Sequence, residues 1–274
     1  MKRMLKKTIF YKWYRWNIDA KNKKLAQQFE SKNPNDLYCI GCNQNWTSFK
    51  PFPKIWLDLL KNAGWKYELD DAETLNLKHY SCYGCGITDR DRLFATYLQN
   101  TLNPTQRYDI IEFAPTPPLT QFLKNKENCT VRTSDLFMNG VDDKLDLQDL
   151  HLYKDNQFDV FICSHILEHV DDDVKAMKEL FRITKSGGFG IVMVPIIDGV
   201  KDTHEDIKNK NEKFRIQHFG QRDHVRLYSK KDFISRLTTV GFTMKLLDMN
   251  HFGTKVFEKN AITTKSVLYI AEKK

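Results

Sequence analysis

Four of the six cysteines stand in two C-x-x-C pairs, Cys39-Ile-Gly-Cys42 and Cys82-Tyr-Gly-Cys85. Two such knuckles supply four thiolates, the closed tetrahedral donor set of structural zinc, with no position left for water. The Gly within each pair is expected where the chain must turn tightly to aim both sulfurs at one ion. An iron–sulfur cluster or unmetallated thiols are the alternatives, and a redox dithiol fits least because two knuckles come together. The stretch from Cys42 to Cys82 is longer than a compact zinc ribbon needs, so a hairpin or small insertion lies between them. His79 reads as a surface residue and only secondarily as a ligand, while Cys129 and Cys163 lack partners at ligand spacing and read as core.

The second half of the chain places acids and histidines directly after short apolar stretches. Strands are expected at residues 108–113, 130–134, 160–164 and 190–194, with a short one near Lys144 to Leu147 and two more apolar stretches at 243–249 and 266–271. Amphipathic helices are expected at about 90–99, 172–184 and 230–240, the second stopped by Gly187-Gly188. Strands alternating with helices point to a parallel α/β sheet, whose ligands bind outside the carboxyl ends of the strands. The residues at those ends are Glu112-Phe113-Ala114, Asp135-Leu136, Asp146-Leu147 and Ser164-His165. An acid after the second strand can accept ribose hydroxyls, and one in the third loop can accept an adenine amino proton. Acids also populate exposed loop tips, so their joint placement carries more than any single one.

The run from Phe158 to Val170 (FDVFICSHILEHV), then Asp171-Asp172-Asp173, Glu179 to Arg182, Lys185-Ser-Gly-Gly188 and Val194-Pro195, resembles class I S-adenosylmethionine-dependent methyltransferases. The chain is further similar to a bacterial subgroup in which a four-cysteine module, ending in a segment like Cys82 to Arg92, precedes the methyltransferase domain. Phe219 to Tyr228 (FGQRDHVRLY) also resembles that subgroup, so the likeness covers most of residues 39–242. It implies a Rossmann-like sheet of seven strands and S-adenosylmethionine as methyl donor. It implies that Asp135 holds the ribose, Asp146 and Leu147 border the adenine, and Ser164 and His165 flank the methionine end. Glu112, Phe113, Ala114 and Leu136 complete the expected cofactor edge. The usual glycine-rich first loop is replaced by the glycine-free Glu112 to Pro118, a variant Ala-Pro turn.

Methyl transfer from a sulfonium needs alignment and, for a hydroxyl acceptor, a base; histidine is the natural one near neutrality. His224 and His165 are the expected catalytic residues, His224 with Asp223 to orient it and Arg226 to hold an anionic acceptor, while His169 is expected to pack or cap a helix. The charged stretch from Asp198 to Gln217 is expected to lid the acceptor.

Length and charge frame the whole. The 274 residues, 41% hydrophobic and 28% charged, suit a globular α/β domain with an appended module and exclude disordered, collagen-like and coiled-coil chains. The organisation expected is a basic aromatic segment at 1–36, a zinc module with its linking helix at 37–100 and a methyltransferase domain at 101–274. Residues 1–25 hold nine of the 43 Lys and Arg with a single acid, Asp19, so the formal excess of +8 belongs to that segment. Its interleaved aromatics, Phe10, Tyr11, Trp13, Tyr14 and Trp16, suit a helix packed on its own domain, peripheral contact with an anionic membrane or, less so, nucleic acid. No secretory signal or spanning run is visible, which places the protein in the cytoplasm, with membrane association an option. The function expected is methyl transfer to an oxygen or nitrogen of a small-molecule or glycan acceptor. A non-catalytic zinc-containing adaptor and an RNA-directed methyltransferase are the alternatives; a nicotinamide reductase would need the missing glycine-rich turn.

Overall fold

A computed structural model describes residues 22–274. Most of the basic aromatic segment expected at a membrane or nucleic acid, residues 1–21, lies outside the described residues.

Three short strands, β1 (Glu30–Ser31), β2 (Leu37–Cys39) and β3 (Gln44–Trp46), pair antiparallel in the order β1-β3-β2. Helix α1 (Lys54–Ala63) follows, where a hairpin or small insertion was expected between the two cysteine pairs. Proline lacks an N–H that a helix start would leave unpaired anyway, and here Pro53 stands at the N-cap while Gly64, at φ 78°, closes the helix. Helix α2 (Asp89–Thr101) is capped by the Thr88 side chain, which accepts the Asp91 N–H.

The main sheet begins with β4 (Tyr108–Phe113), α3 (Pro117–Lys124), β5 (Cys129–Ser134), β6 (Phe158–Ser164), α4 (Asp173–Ile183) and β7 (Thr184–Met193). A small ribbon of β8 (His204–Glu205) and β9 (Arg226–Leu227) flanks α5 (Glu212–Phe219). Helix α6 (Lys230–Val240), β10 (Thr243–Leu247) and β11 (Leu268–Glu272) complete the fold. The order is β10-β11-β7-β6-β4-β5, with β5, β4, β6 and β7 parallel and β11 antiparallel to both its neighbours. The apolar runs Ile110-Ile111 of β4 and Val160 to Cys163 of β6 lie buried in interior strands of the sheet, as strands covered on both faces require.

Six strands, not seven, form this sheet among the described residues. Where a short strand near Lys144 to Leu147 was expected, one parallel bridge joins Asp143 to Ser134. The Asp142 carboxylate accepts the Thr133 N–H that an edge strand would have used, and Asp146 accepts the Gln148 N–H and turns the chain away. The expected glycine stop of α4 is also corrected. The helix ends at Ile183, and Gly187-Gly188 lie within β7, where a Cβ on Gly188 would stand 2.7 Å from the Asp159 carbonyl oxygen.

One continuous apolar core runs from Trp46 and Phe49 through Leu93 and Phe94 to Ile110, Phe161 and Tyr269. The cysteine-bearing module is therefore packed against the sheet. Arg92, fully buried, latches the two together: its guanidinium lies over the Phe49 ring at 4.2 Å and donates to the carbonyls of His79, Ile87 and Asn260. No helix among the described residues is long and apolar enough to cross a membrane.

Candidate active site

Cys39 ends β2, Cys42 sits in the turn before β3, and Cys82 and Cys85 lie in the loop before α2. Their four Sγ atoms lie within 4.8 Å of one another, with Cys39 to Cys85 at 3.6 Å and Cys42 to Cys82 at 3.8 Å. A tetrahedral ion with sulfurs at ~2.3 Å sets its ligands ~3.8 Å apart, so these four fit zinc. The Gly84 N–H points to Cys82 Sγ at 3.3 Å. Tight turning falls to Gly86, at φ 81°, whereas Gly84 is glycine because a Cβ would sit 2.6 Å from the Trp46 ring. His79 stands apart from the cluster, beside Ser48 and the Phe49 N–H.

Strand order reverses between β4 and β6, and the crevice at their carboxyl ends is the switch point where doubly wound sheets bind ligands. The expected cofactor residues gather along this edge: Phe113 and Ala114 after β4, Asp135 and Leu136 after β5, Ser164 and His165 after β6. Ala114 and His165 both take positive φ, 46° and 57°, the left-handed region that costs a side-chain-bearing residue about 1–2 kcal/mol. The glycine-free loop thus makes with Ala114 a backbone turn that glycine makes more easily. Ser164 Oγ is buried with no hydrogen-bond partner among the described residues, an opening for a polar ligand atom. Asp135 Oδ1 accepts the Phe137 and Met138 N–H groups, at 2.7 and 2.5 Å, holding the exposed Leu136 to Met138 turn. Asp146 receives the Gln148 backbone and side-chain N–H groups at 2.9 and 3.0 Å, and Leu147 is buried behind it.

Glu112 faces inward. Its Oε1 accepts the Thr116 N–H at 3.0 Å and its Oε2 meets Thr120 Oγ1 at 2.6 Å, tying β4 to the start of α3. Burial pushes this carboxyl up to about 7 against those hydrogen bonds.

Beyond β6 the chain from His165 to Asp171 is clamped by the segment leading into β9. The Val225 N–H donates to the Glu168 carbonyl at 2.9 Å, and the Arg226 guanidinium donates to the carbonyls of Leu167, Val170 and Asp171. Arg226, 1% exposed, also pairs with Glu205, so it braces this loop and is not available to an anionic acceptor, contrary to expectation. Asp223 stands against His169, at 3.5 Å from Nδ1, and does not orient His224. The Phe219 carbonyl does so instead, 2.9 Å from His224 Nδ1, because successive side chains in the Asp223-His224 turn diverge.

The clamp gathers three imidazoles around Glu168, which is fully buried. His165 Nδ1 lies 3.3 Å and His224 Nε2 3.9 Å from Glu168 Oε1, and the His169 ring meets the His224 ring edge-on at 4.6 Å. Burial opposes charge on Glu168, but His165, His224 and His169 outweigh it and hold the carboxyl down at about 2. Burial lowers His224 to about 4 and, together with Arg90, lowers His165, so both rings are neutral at pH 7. His169 is thus a member of the cluster and not only a packing residue.

A cavity of about 410 Å³ opens beside these histidines. Trp56, Leu60 and Trp65 from the N-terminal module line it, as do Met193 to Ile197 at the carboxyl end of β7 and, among its polar residues, His165, His224 and Arg90. None of the described residues of the expected lid, Asp198 to Gln217, lines the cavity: Phe219, Gly220 and Gln221 just beyond it do so instead, and His204 and Glu205 are held in the ribbon with β9. Arg90, whose Nε makes no hydrogen bond and stands 3.8 Å from Asp91 Oδ1, and buried Asp89, which burial pushes up to about 6, are cavity residues that sequence reasoning missed. Their signal was present in the Cys82 to Arg92 segment, but the fold alone shows that it faces the cavity.

Residues 122–192, from the end of α3 to the end of β7, match the family model described as a methyltransferase domain. That stretch carries the carboxyl-end residues of β5 and β6, and it supports an S-adenosylmethionine-dependent methyltransferase. The protein is an enzyme of that kind. A comparison with curated proteins finds no match. Similar solved structures include an S-adenosylmethionine-dependent methyltransferase from Archaeoglobus fulgidus, at 12% identity over 67% of this chain and 94% of that one, TM-score 0.43. Another, from Mesorhizobium loti, shares 12% identity over 64% and 95%, TM-score 0.40. The [4+2]-cyclase SpnF shares 12% over 82% and 99%, TM-score 0.48. The functional reading rests on the family match and on the site.

Proposed function

We propose that the enzyme methylates a hydroxyl or nitrogen of a small molecule with an apolar body. The observation that carries this is the cavity of about 410 Å³, which has apolar walls and two neutral histidines in its lining beside the switch point. Its size is within the range of small-molecule sites, and most of its lining is apolar or aromatic. Asp135, Asp146, Ser164 and the Ala114 turn would hold S-adenosylmethionine, which would supply a methyl group on a positively charged sulfur. The acceptor lone pair would bond to that methyl carbon as the carbon–sulfur bond breaks, its electrons passing to sulfur. His165 takes the hydroxyl proton, and Glu168 behind it stabilises the imidazolium that forms. Arg90 positions the acceptor, and the His224 ring packs beside it at the cavity wall. Residues 37–100 form a zinc module that lines the cavity and whose ion is structural, and residues 101–274 form the catalytic domain.

Calorimetric titration of the metal-loaded protein with S-adenosylmethionine and its demethylated product tests the donor side. Micromolar binding supports the reading; no binding by the folded protein moves the adaptor alternative to the front. Transfer of label from S-adenosylmethionine to a panel of apolar alcohols and phenols, set against soluble glycans, tests the acceptor. Label found only on the glycans would overturn the proposed class.

A further inference from the structure

Neither carboxylate oxygen of buried Glu168 makes a hydrogen bond among the described residues; His165 Nδ1, at 3.3 Å from Oε1, is the nearest group that could share a proton with it. A carbonyl oxygen only accepts, so the proton of His224 lies on Nδ1, facing the Phe219 carbonyl, and Nε2 turns a bare lone pair toward Glu168. Two electron-pair donors thus face each other across 3.9 Å, too far for a shared proton and repulsive as they stand.

A cation resolves the conflict. An ion holding nitrogen and oxygen ligands at ~2.1 Å spaces them between ~3 and ~4.2 Å apart, which spans the separation of His224 Nε2 from Glu168. A ligand atom of His169 joins these two, all three lying within 4.8 Å of one another, so a closure of about half an ångström completes a triad. The surroundings are those of a ligand set. The Phe219 carbonyl fixes the His224 tautomer, and Asp223 lies 3.5 Å from His169 Nδ1, where a carboxylate orients a ligating imidazole. The backbone clamp from Val225 and Arg226 holds the loop carrying Glu168 and His169 against His224.

We propose that Glu168, His169 and His224 bind a divalent transition-metal ion beside the cavity, distinct from the ion of the four cysteines, with open positions that take an oxygen of the acceptor. Two histidines and one carboxylate suit zinc, iron(II) or manganese(II). A hydroxyl on such an ion loses its proton more readily, and His165, outside the triad, is placed to receive it. The acceptor half of this inference rests on the function proposed above; ion binding does not.

The test is titration of the full chain, with its cysteine site filled, by manganese(II), reading free ion by electron paramagnetic resonance. Manganese(II) prefers oxygen and nitrogen ligands, so the thiolate site is silent. One ion per chain is expected, with H169A and H224Q each weakening binding by about tenfold or more. No bound manganese(II), or binding that both variants leave unchanged, overturns the site. H169A alters a half-buried side chain, so it keeps the test open if H224Q fails to fold. S-adenosylmethionine titrated into the same samples separates the two readings: manganese(II) binding without donor binding sinks the methyltransferase mechanism and keeps the ion site, and the converse does the opposite.

Discussion

Glu112 gives the reasoning about this site a quantitative check. Its carboxyl, 2% exposed, is raised from an ordinary value of 4.5 to about 7, chiefly by burial. The folded protein therefore holds this proton more tightly than the unfolded chain. Its contribution is fully present below pH ~4.5, falls as pH rises, and is lost above ~7. A shift of this size corresponds to about 3 kcal/mol, most of it lost between pH 5 and pH 8. The geometry allows a neutral mimic: in E112Q the amide oxygen still accepts the Thr116 N–H, and the amide nitrogen donates to Thr120 Oγ1, whose own hydroxyl turns to the Thr116 carbonyl at 3.0 Å. Urea unfolding of wild type and E112Q at both pH values cancels every other titrating group in the difference. E112Q should gain about 2–3 kcal/mol over wild type between pH 5 and pH 8. A difference between the two proteins that stays constant with pH would refute the burial argument and the neutral, inward-facing Glu112 built on it.

Other expectations follow from the same geometry. D135A removes the acceptor at the end of β5 and should weaken S-adenosylmethionine binding about tenfold or more by calorimetry; unchanged affinity would sink the ribose assignment. C82S should release the cysteine-held metal and lower the melting temperature, because a closed zinc site supplies folding energy; full metal content at an unchanged melting temperature would contradict it. The acid limb of kcat/KM should lie below the usual histidine range near pH ~6.5, since burial and Arg90 lower His165. H165Q should abolish that limb and cost about 10²–10⁴ in kcat, and a retained limb would move the base elsewhere.

Local pattern made a large part of this protein legible. The two C-x-x-C knuckles, the apolar runs of β4 and β6, and the amphipathic period of α4 and α6 are read within a few residues, because backbone hydrogen bonding and side-chain periodicity act over such spans. The positions after β4, β5 and β6 follow from the topology that this alternation dictates. Helix α1 stands where only a hairpin or small insertion was expected, because Pro51 and Pro53 mask a helix start that proline serves as well as it breaks a helix interior. The seventh strand failed for an equally local cause that propensity does not weigh, the side chain of Asp142 taking an edge N–H of β5.

The histidine cluster belongs to the tertiary structure. Glu168 and His224 lie far apart in the chain, and nothing in either segment announces that the Val225 N–H will find the Glu168 carbonyl. Arg226 looks from its sequence like a free cation beside a base, yet the path of β9 past the loop after β6 consumes it on three carbonyls. The same holds for the cavity, whose walls come from α1 and from the end of β7, two elements that share no pattern. Secondary structure answers to neighbours along the chain, whereas the direction of a buried side chain and the groups it must satisfy answer to neighbours in space.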